Sequence, residues 1–181
     1  MKKIKIPLNS EEIKELRVGD EVYISGVIYT ARDAAHKRLC ELILRGDAMP
    51  IDVDGGAFYY VGPTPARPGR VIGSAGPTSS YRMDSYTEPL LKKGLKVMIG
   101  KGPRSEEFKN LLPKYVAVYL SAIGGAAAMI AESVKKCELV AYEDLGAEAI
   151  YRLEVENLYA IVTYDTAGGD LFLDGERKYR R

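Results

Sequence analysis

Thr78 and Arg82 stand four residues apart in the run Gly76-Pro-Thr-Ser-Ser-Tyr-Arg-Met-Asp-Ser85. A helix beginning near Thr78 would set them side by side on one face, at its positive end. That geometry suits one carboxylate. Lys101 follows the apolar run Leu95 to Ile99 and could add a second cation, while Arg32 and His36 form another i, i+4 pair upstream. Arginine takes a carboxylate in a planar fork and lysine meets it as a point charge, so two separated cationic clusters match a dicarboxylate. Arg67, Arg70 and Arg104 are further candidates. Taken singly, any one of these arginines is better read as a solvated surface residue. His36 taken singly is better read as a half-buried structural histidine, held by a carboxylate such as Asp33 or by a backbone oxygen.

These residues lie on or beside loops that must be brought together. Gly73-Ser-Ala-Gly-Pro-Thr-Ser-Ser80, Gly100-Lys-Gly-Pro-Arg104 and Ser121-Ala-Ile-Gly-Gly125 each follow an apolar run and precede a helical pattern. In an open α/β sheet such loops gather at the carboxyl ends of the strands, where backbone N–H groups can hold an anion. None is a Walker A loop, since Gly100-Lys101 lacks both the upstream glycine spacing and a following Ser or Thr, and no G-x-G-x-x-G follows a strand. Ordinary loop punctuation explains the same glycines equally well.

The elements that would carry these loops are readable from periodicity. Asn9 or Ser10 can cap a short helix with Glu11 and Glu12 in its first turn. Glu21 to Tyr29 reads as a strand, and Ala34, Ala35, Leu39, Leu42 and Ile43 recur at helical spacing up to Gly46. From Ile51 to Pro77, glycine and proline divide the chain into short strands and turns. Then come a helix over about Ser79 to Lys93, a strand Leu95 to Ile99, a helix Ser105 to Leu112, a strand Val116 to Leu120 and a helix Ala126 to Ala131. This alternation predicts βαβ units and a mixed, partly parallel sheet in one α/β domain over residues 1–181. Leu139 to Tyr142 and Leu153 to Tyr164 add strands; a hairpin turn at Thr166 to Asp170 leads to a last strand, Leu171 to Leu173, and the tail from Asp174 to Arg181 is expected to be charged and mobile.

Composition excludes several classes. The chain has 181 residues, one histidine and two cysteines, Cys40 and Cys137, far apart in sequence. A zinc finger, a self-contained iron-sulfur cluster or a disulfide framework does not fit such counts, and both cysteines read as inert packing residues. A net charge of +1 gives no global field to steer nucleic acid or a membrane surface. The acids Glu143, Asp144 and Glu148 show no partner cluster, so solvated carboxylates suffice for them and a glycosidase-type dyad is unsupported. Lys5, Pro7, Glu11 and Glu12 break up any signal-peptide core, and Gly124-Gly125 interrupts the longest uncharged stretch, Tyr115 to Ala131. The chain therefore reads as cytoplasmic. Absent glutamine, scarce asparagine and abundant lysine and glutamate lean toward a heat-adapted source.

Beyond spacing, a set of motifs carries a resemblance: Ser25-Gly-Val-Ile-Tyr-Thr-Ala-Arg-Asp-Ala-Ala-His36, Gly62-Pro-Thr-Pro65, Gly73 to Thr78, Arg82-Met-Asp-Ser85, Ser121 to Gly125, Asp144-Leu-Gly-Ala-Glu-Ala-Ile150 and Glu154-Val-Glu156. Together, from about Gly19 to Phe172, they resemble the beta subunit of class I fumarate hydratases, a family shared with L-tartrate dehydratases. The resemblance implies a swivelling β/β/α domain and an iron-sulfur hydro-lyase that interconverts fumarate and (S)-malate, a tricarboxylic acid cycle step. It implies that Thr78 transfers a proton, that Arg32, Arg82 and Lys101 contact the substrate, and that His36, Gly76, Ser79, Gly124 and Gly125 line or support the pocket. Many members have a threonine where this chain has Ser79, a change that keeps the hydroxyl. The four-iron four-sulfur cluster would be held by a partner alpha subunit and not by this chain, which gives a hetero-oligomer acting on a small dicarboxylate. Tartrate dehydration fits the same motifs, and a non-catalytic anion-binding or assembly module is the reading from a different class.

Overall fold

The computed structural model describes residues 1–180. In chain order the elements are β1 (Lys2–Ile6), α1 (Ser10–Lys14), β2 (Glu21–Thr30), α2 (Asp33–Arg45), β3 (Ala57–Tyr59), a 3-10 turn (Ser80–Met83) running into α3 (Asp84–Lys92), β4 (Val97–Gly100), α4 (Glu106–Tyr115), β5 (Val118–Ser121), α5 (Ala127–Ser133), β6 (Val134–Ala141), a second 3-10 segment (Glu143–Glu148), β7 (Ile150–Tyr164) and α6 (Leu171–Tyr179). The sheet order is β1-β2-β3-β4-β5-β7-β6. Strands β1 to β5 pair in parallel, and β7 is antiparallel to β5, β6 and β2. Because the long β7 pairs with both β5 and β2, the sheet curls round and closes on itself.

Alternation along the short central strands assigns their two faces. Ala57, Tyr59, Val97, Ile99, Val118 and Leu120 join Ile24, Ile28, Leu158 and Val162 in a core between the two limbs of the curled sheet. The intervening Phe58, Met98 and Tyr119 form a second core with Leu39 of α2, Leu90 and Leu91 of α3, and Phe108 and Leu112 of α4. The result is the expected mixed α/β domain, layered β/β/α. With both faces covered, β3, β4 and β5 read as continuous apolar runs, which suits buried parallel strands.

Local signals act as their chemistry requires. Asn9 caps α1 in a reciprocal box with Glu12, and Gly46 closes α2 in the left-handed conformation. At Gly26 (φ 110°) the backbone of β2 passes so close to β1 that a Cβ would lie 2.4 Å from the Ile6 carbonyl oxygen. The ladder is also irregular there, between Ile24 and Gly26 opposite β7.

Several expectations are corrected. Lys2–Ile6, to which the sequence reading assigns no element, is the parallel edge strand β1. The helix placed from Ser79 starts instead as the 3-10 turn at Ser80 and becomes α-helical at Asp84, so Thr78 precedes it. Leu171 to Leu173 is not a strand. The turn at Thr166 to Asp170 does form, with Asp165 accepting the Ala167 and Gly169 amides at 2.9 Å and an antiparallel bridge joining Tyr164 to Asp170. The Asp170 carboxylate then caps the Phe172 and Leu173 amides, which starts α6 and takes most of the charged tail into that helix. Strand β6 begins at Val134 rather than Leu139, and β7 at Ile150 rather than Leu153. No helix among the described residues is long and apolar enough to cross a membrane.

Candidate active site

Parallel pairing puts the carboxyl ends of β2, β3, β4 and β5 on one edge, and the ladder runs on into the loops. The Ala31 amide donates to the Tyr59 carbonyl (3.1 Å), Tyr60 to Ile99 (2.8 Å) and Ala122 to Gly100 (2.8 Å). Arg32, the Gly62 loop, Lys101 and the Gly124-Gly125 turn therefore leave the sheet at the same edge.

Arg32 occupies the N-cap position of α2 without capping it through its side chain. Glu148 does that work: its carboxylate accepts the Ala34 amide at 3.2 Å and meets Arg32 Nη2 at 3.2 Å. The anion position at the positive end of α2 is thus filled by the protein itself. Gly62 makes room for the guanidinium, since a Cβ there would lie 2.9 Å from Arg32 Nη1. Arg32 Nε is buried and has no hydrogen-bond partner among the described residues; the Asp33 carboxylate is 3.8 Å away. The other side of Asp33 holds Arg82 bidentately, Nε to Oδ1 and Nη2 to Oδ2 both at 3.1 Å. Reading Glu148 as merely a solvated acid is corrected on the same grounds, whereas Asp144 stays solvated, pairing with Arg38 (2.8 Å) at the surface.

Thr78 is half-buried and outside any helix or strand, and its amide donates to the Tyr60 carbonyl at 2.7 Å. The next residues run beside the end of β4: Ser79 forms a parallel bridge with Lys101, and the Ser80 amide donates to the Lys101 carbonyl at 3.0 Å. The side-by-side helical geometry expected for Thr78 and Arg82 is therefore replaced. Arg82 lies in the 3-10 turn, and Thr78 is tied to β3 and β4 instead. Lys101 is exposed, and the ion pairs of this edge, Arg32 with Glu148 and Asp33, Arg82 with Asp33, and Arg104 with Asp84, leave it out.

His36 lies beneath this surface rather than on it. The ring is fully buried, edge-on to Tyr60 (5.2 Å) and Phe58 (5.6 Å), and its Nδ1 bonds the Arg32 carbonyl at 2.9 Å. Burial, assisted by the nearby Arg104 charge, pushes its pKa down to about 4. The ring is therefore neutral at pH 7, with Nδ1 carrying the proton toward that carbonyl. The partner is the backbone oxygen, one of the two options the sequence left open. Gly76 packs near Ala127, where a Cβ would come within 3.2 Å, and the Ala75 amide reaches the Ala127 carbonyl at 3.2 Å. The loop before Thr78 thus leans on α5. Gly124 and Gly125 are exposed in the turn before α5, with open space where a Cβ would stand.

Arg104 is not a surface carboxylate binder. Its side chain is buried, bonded to Asp84 and 3.3 Å from Thr87 Oγ1, with the guanidinium 3.5 Å over the Phe108 ring. Arg67 and Arg70 line a separate groove of about 590 Å³ between the loop over 64–74 and α5, away from Thr78. Sequence reasoning missed Ser80, Tyr60 and Tyr119 as supports and Asp33 and Glu148 as counter-ions. The one available signal was the polar tip that Tyr119 brings into an otherwise apolar strand.

Comparison with known proteins fits this arrangement of motifs. The sequence profile described as Fumarase C-terminus matches residues 1–175. The chain belongs to this family. This fumarase C-terminal chain is 37% identical to the aerobic class I fumarate hydratase of Salmonella typhimurium over 90% of its own length and 28% of that protein. It is 39% identical to the anaerobic class I fumarate hydratase of Escherichia coli, over 89% of its own length and 30% of that protein. The chain thus spans under a third of these enzymes. With a putative L(+)-tartrate dehydratase subunit beta of Methanocaldococcus jannaschii it shares 36% identity, over 94% of its own length and 91% of the relative's.

Proposed function

We propose that this chain is the beta subunit of a two-subunit hydro-lyase interconverting fumarate and (S)-malate, and that it supplies the proton-transfer and carboxylate-binding wall of the site. The observation that carries the reading is the gathering of Arg32, Arg82, Lys101 and the Thr78 loop at the carboxyl ends of the parallel strands β2 to β5. Hydration of the alkene passes through a state in which charge spreads onto a carboxylate, and fixed cations at that carboxylate lower its energy. Arg82 and Arg32 serve as the forks and Lys101 as the unpaired point charge. A threonine hydroxyl is a weak base at neutral pH, so Thr78 moves its proton with Lys101, whose backbone is bridged to Ser79, stabilising the alkoxide, or by relay to an acid of the partner.

The iron-sulfur cluster of the class does not fit the donors of this chain. Cys40 is buried, with its thiol on the Tyr86 carbonyl at 3.2 Å and its pKa pushed up to about 11 by burial, while Cys137 lies on β6. Among the described residues, no three His, Cys, Asp or Glu side chains come together as a metal site. We therefore assign the cluster to the alpha subunit, and the cytoplasm of a heat-adapted organism to the pair.

The test is to purify the chain alone and co-purified with its alpha subunit under anaerobic conditions, then to assay hydration of fumarate. The pair should turn over and the single chain should not; robust activity of the isolated chain would overturn the reading. Thr78→Ala in the pair should lower kcat by about a hundredfold or more with little change in KM. Tartrate dehydration is the second reading, favoured by the near full-length match to the Methanocaldococcus protein. Parallel assays with L-tartrate separate the two.

A further inference from the structure

Ser80 is fully buried, and its hydroxyl oxygen is a junction. It accepts the Lys101 amide at 3.0 Å and lies 3.3 Å from the Thr78 carbonyl, to which it donates. The Tyr119 hydroxyl stands 3.0 Å from both Ser80 Oγ and the Gly102 carbonyl, and its single proton serves the two acceptors. Burial raises the Tyr119 pKa far above the ordinary phenol range, so that proton stays in place. Space for the Ser80 side chain exists only because residue 100 is glycine: a Cβ there would lie 1.9 Å from Ser80 Oγ. The serine hydroxyl is thus enclosed between the end of β4 and the Tyr119 ring, with its rotamer fixed.

We infer that Ser80 is a positioning residue: its hydroxyl locks the backbone of Thr78 to that of Lys101 and so sets the proton-transfer group and the free cation in register. The inference rests on the function proposed above for Thr78 and Lys101. The Ser79–Lys101 bridge and the Ser80 amide on the Lys101 carbonyl join the two segments through backbone alone. Thr78 itself has one backbone bond, to Tyr60, and no ion pair among the described residues places Lys101, so the Ser80 hydroxyl is the one side chain bonded to the backbone of both Thr78 and Lys101. Small displacements of reacting groups are costly, about a hundredfold in rate for a misplacement near 1 Å.

Two measurements on Ser80→Ala test this. In the full chain, amide hydrogen exchange should quicken by about tenfold or more at Lys101 and Thr78, with helices α2 and α4 unchanged. In the reconstituted pair, kcat should fall by about tenfold to a hundredfold while KM moves less than about threefold. Tyr119→Phe, which keeps the ring, should act in the same direction, and the double variant should lose less than the product of the two single losses because both serve one junction. Unchanged exchange at Lys101 and Thr78, or an unchanged kcat in an active pair, would overturn the inference. A wild-type pair inactive on both substrates, with exchange behaving as stated, would instead overturn the proposed function and leave the junction standing.

Discussion

Asp33 holds Arg82 with both of its carboxylate oxygens, at 3.1 Å each, and turns the same group toward Arg32 Nε at 3.8 Å. One acid therefore sets two of the three cations proposed to meet substrate. Glu148 completes the series by pairing with Arg32 from the far side. The net charge of +1 hides a line of alternating charges, not a bare cationic pocket balanced by remote acids. A carboxylate ligand would find the Arg82 fork held by Asp33, with its remaining N–H groups as donors.

Replacing Asp33 by Asn should then act on binding more than on folding. Both side chains of the Arg82 pair are more than a third exposed or close to it, at 39% and 35%, so its loss should cost at most about 1 kcal/mol of stability. Loosening the fork should raise KM for the dicarboxylate by about tenfold. Steady-state kinetics and urea unfolding of the reconstituted pair give both numbers. A lowered KM would show that Asp33 competes with substrate for Arg82 instead of aiming it.

His36 predicts a specific pH dependence of stability. Its pKa in the folded chain is about 4, below the ordinary value near 6.5, because the buried ring resists charging. The unfolded chain therefore binds the extra proton first as the pH falls. Stability from this group is complete above about pH 6.5 and drains away toward pH 4, at a slope approaching 1.4 kcal/mol per pH unit. His36→Phe, which keeps an aromatic ring against Tyr60 but cannot titrate, should flatten that slope in urea midpoints taken between pH 7 and 4.5. An unaltered slope would assign the acid sensitivity to other groups.

The edge on which these residues sit was legible because parallel strands joined by helices leave a repeated pattern: an apolar run, a glycine loop, then helical spacing. Its inner wiring was not legible. The Thr78 to Arg82 spacing looked helical, yet a bridge between Ser79 and Lys101, set by the register of β3 with β4, holds the first of those residues out of the helix. Leu171 to Leu173 looked like a strand because three apolar residues followed a turn; the deciding group was the carboxylate of Asp170, which caps two amides and also meets Lys109 at 2.8 Å. Counter-ions such as Glu148 lie more than a hundred residues from their partners. Periodicity carries no information at that range.

Arg104 should prove to be a residue of the core. The side chain has no exposed surface, Asp84 answers its charge, and its guanidinium lies 3.5 Å over the Phe108 ring with the Tyr119 ring 5.0 Å away. Arg104→Ala strands Asp84 in a site of low exposure and should cost about 3–5 kcal/mol. Arg104→Lys keeps the charge but neither the fork nor the stacking plane, so it should recover less than half of that loss. Thermal and urea unfolding of the chain measure both. Full recovery by lysine would mean that charge alone, without planar geometry, holds the α3–α4 layer together.

The sharpest test of the fold is Gly26→Ala. At φ 110° an alanine is strained on any neighbour, and here the added Cβ would lie 2.4 Å from the Ile6 carbonyl oxygen and 3.1 Å from the Ile6 nitrogen, both backbone atoms of β1. Backbone cannot turn aside as a side chain can, so β1 must part from β2 or the bulge opposite β7 must open. Either response should destabilise the chain by about 2–4 kcal/mol, combining strain with overpacking. Because β1 is terminal in the strand order and carries none of Arg32, Thr78, Arg82 or Lys101, activity of the folded pair should be kept. Amide exchange should quicken in Lys2–Ile6 before it does in β3 or β4, and a uniform loss of protection through the whole sheet would show that β1 is integral to the closure made by β7.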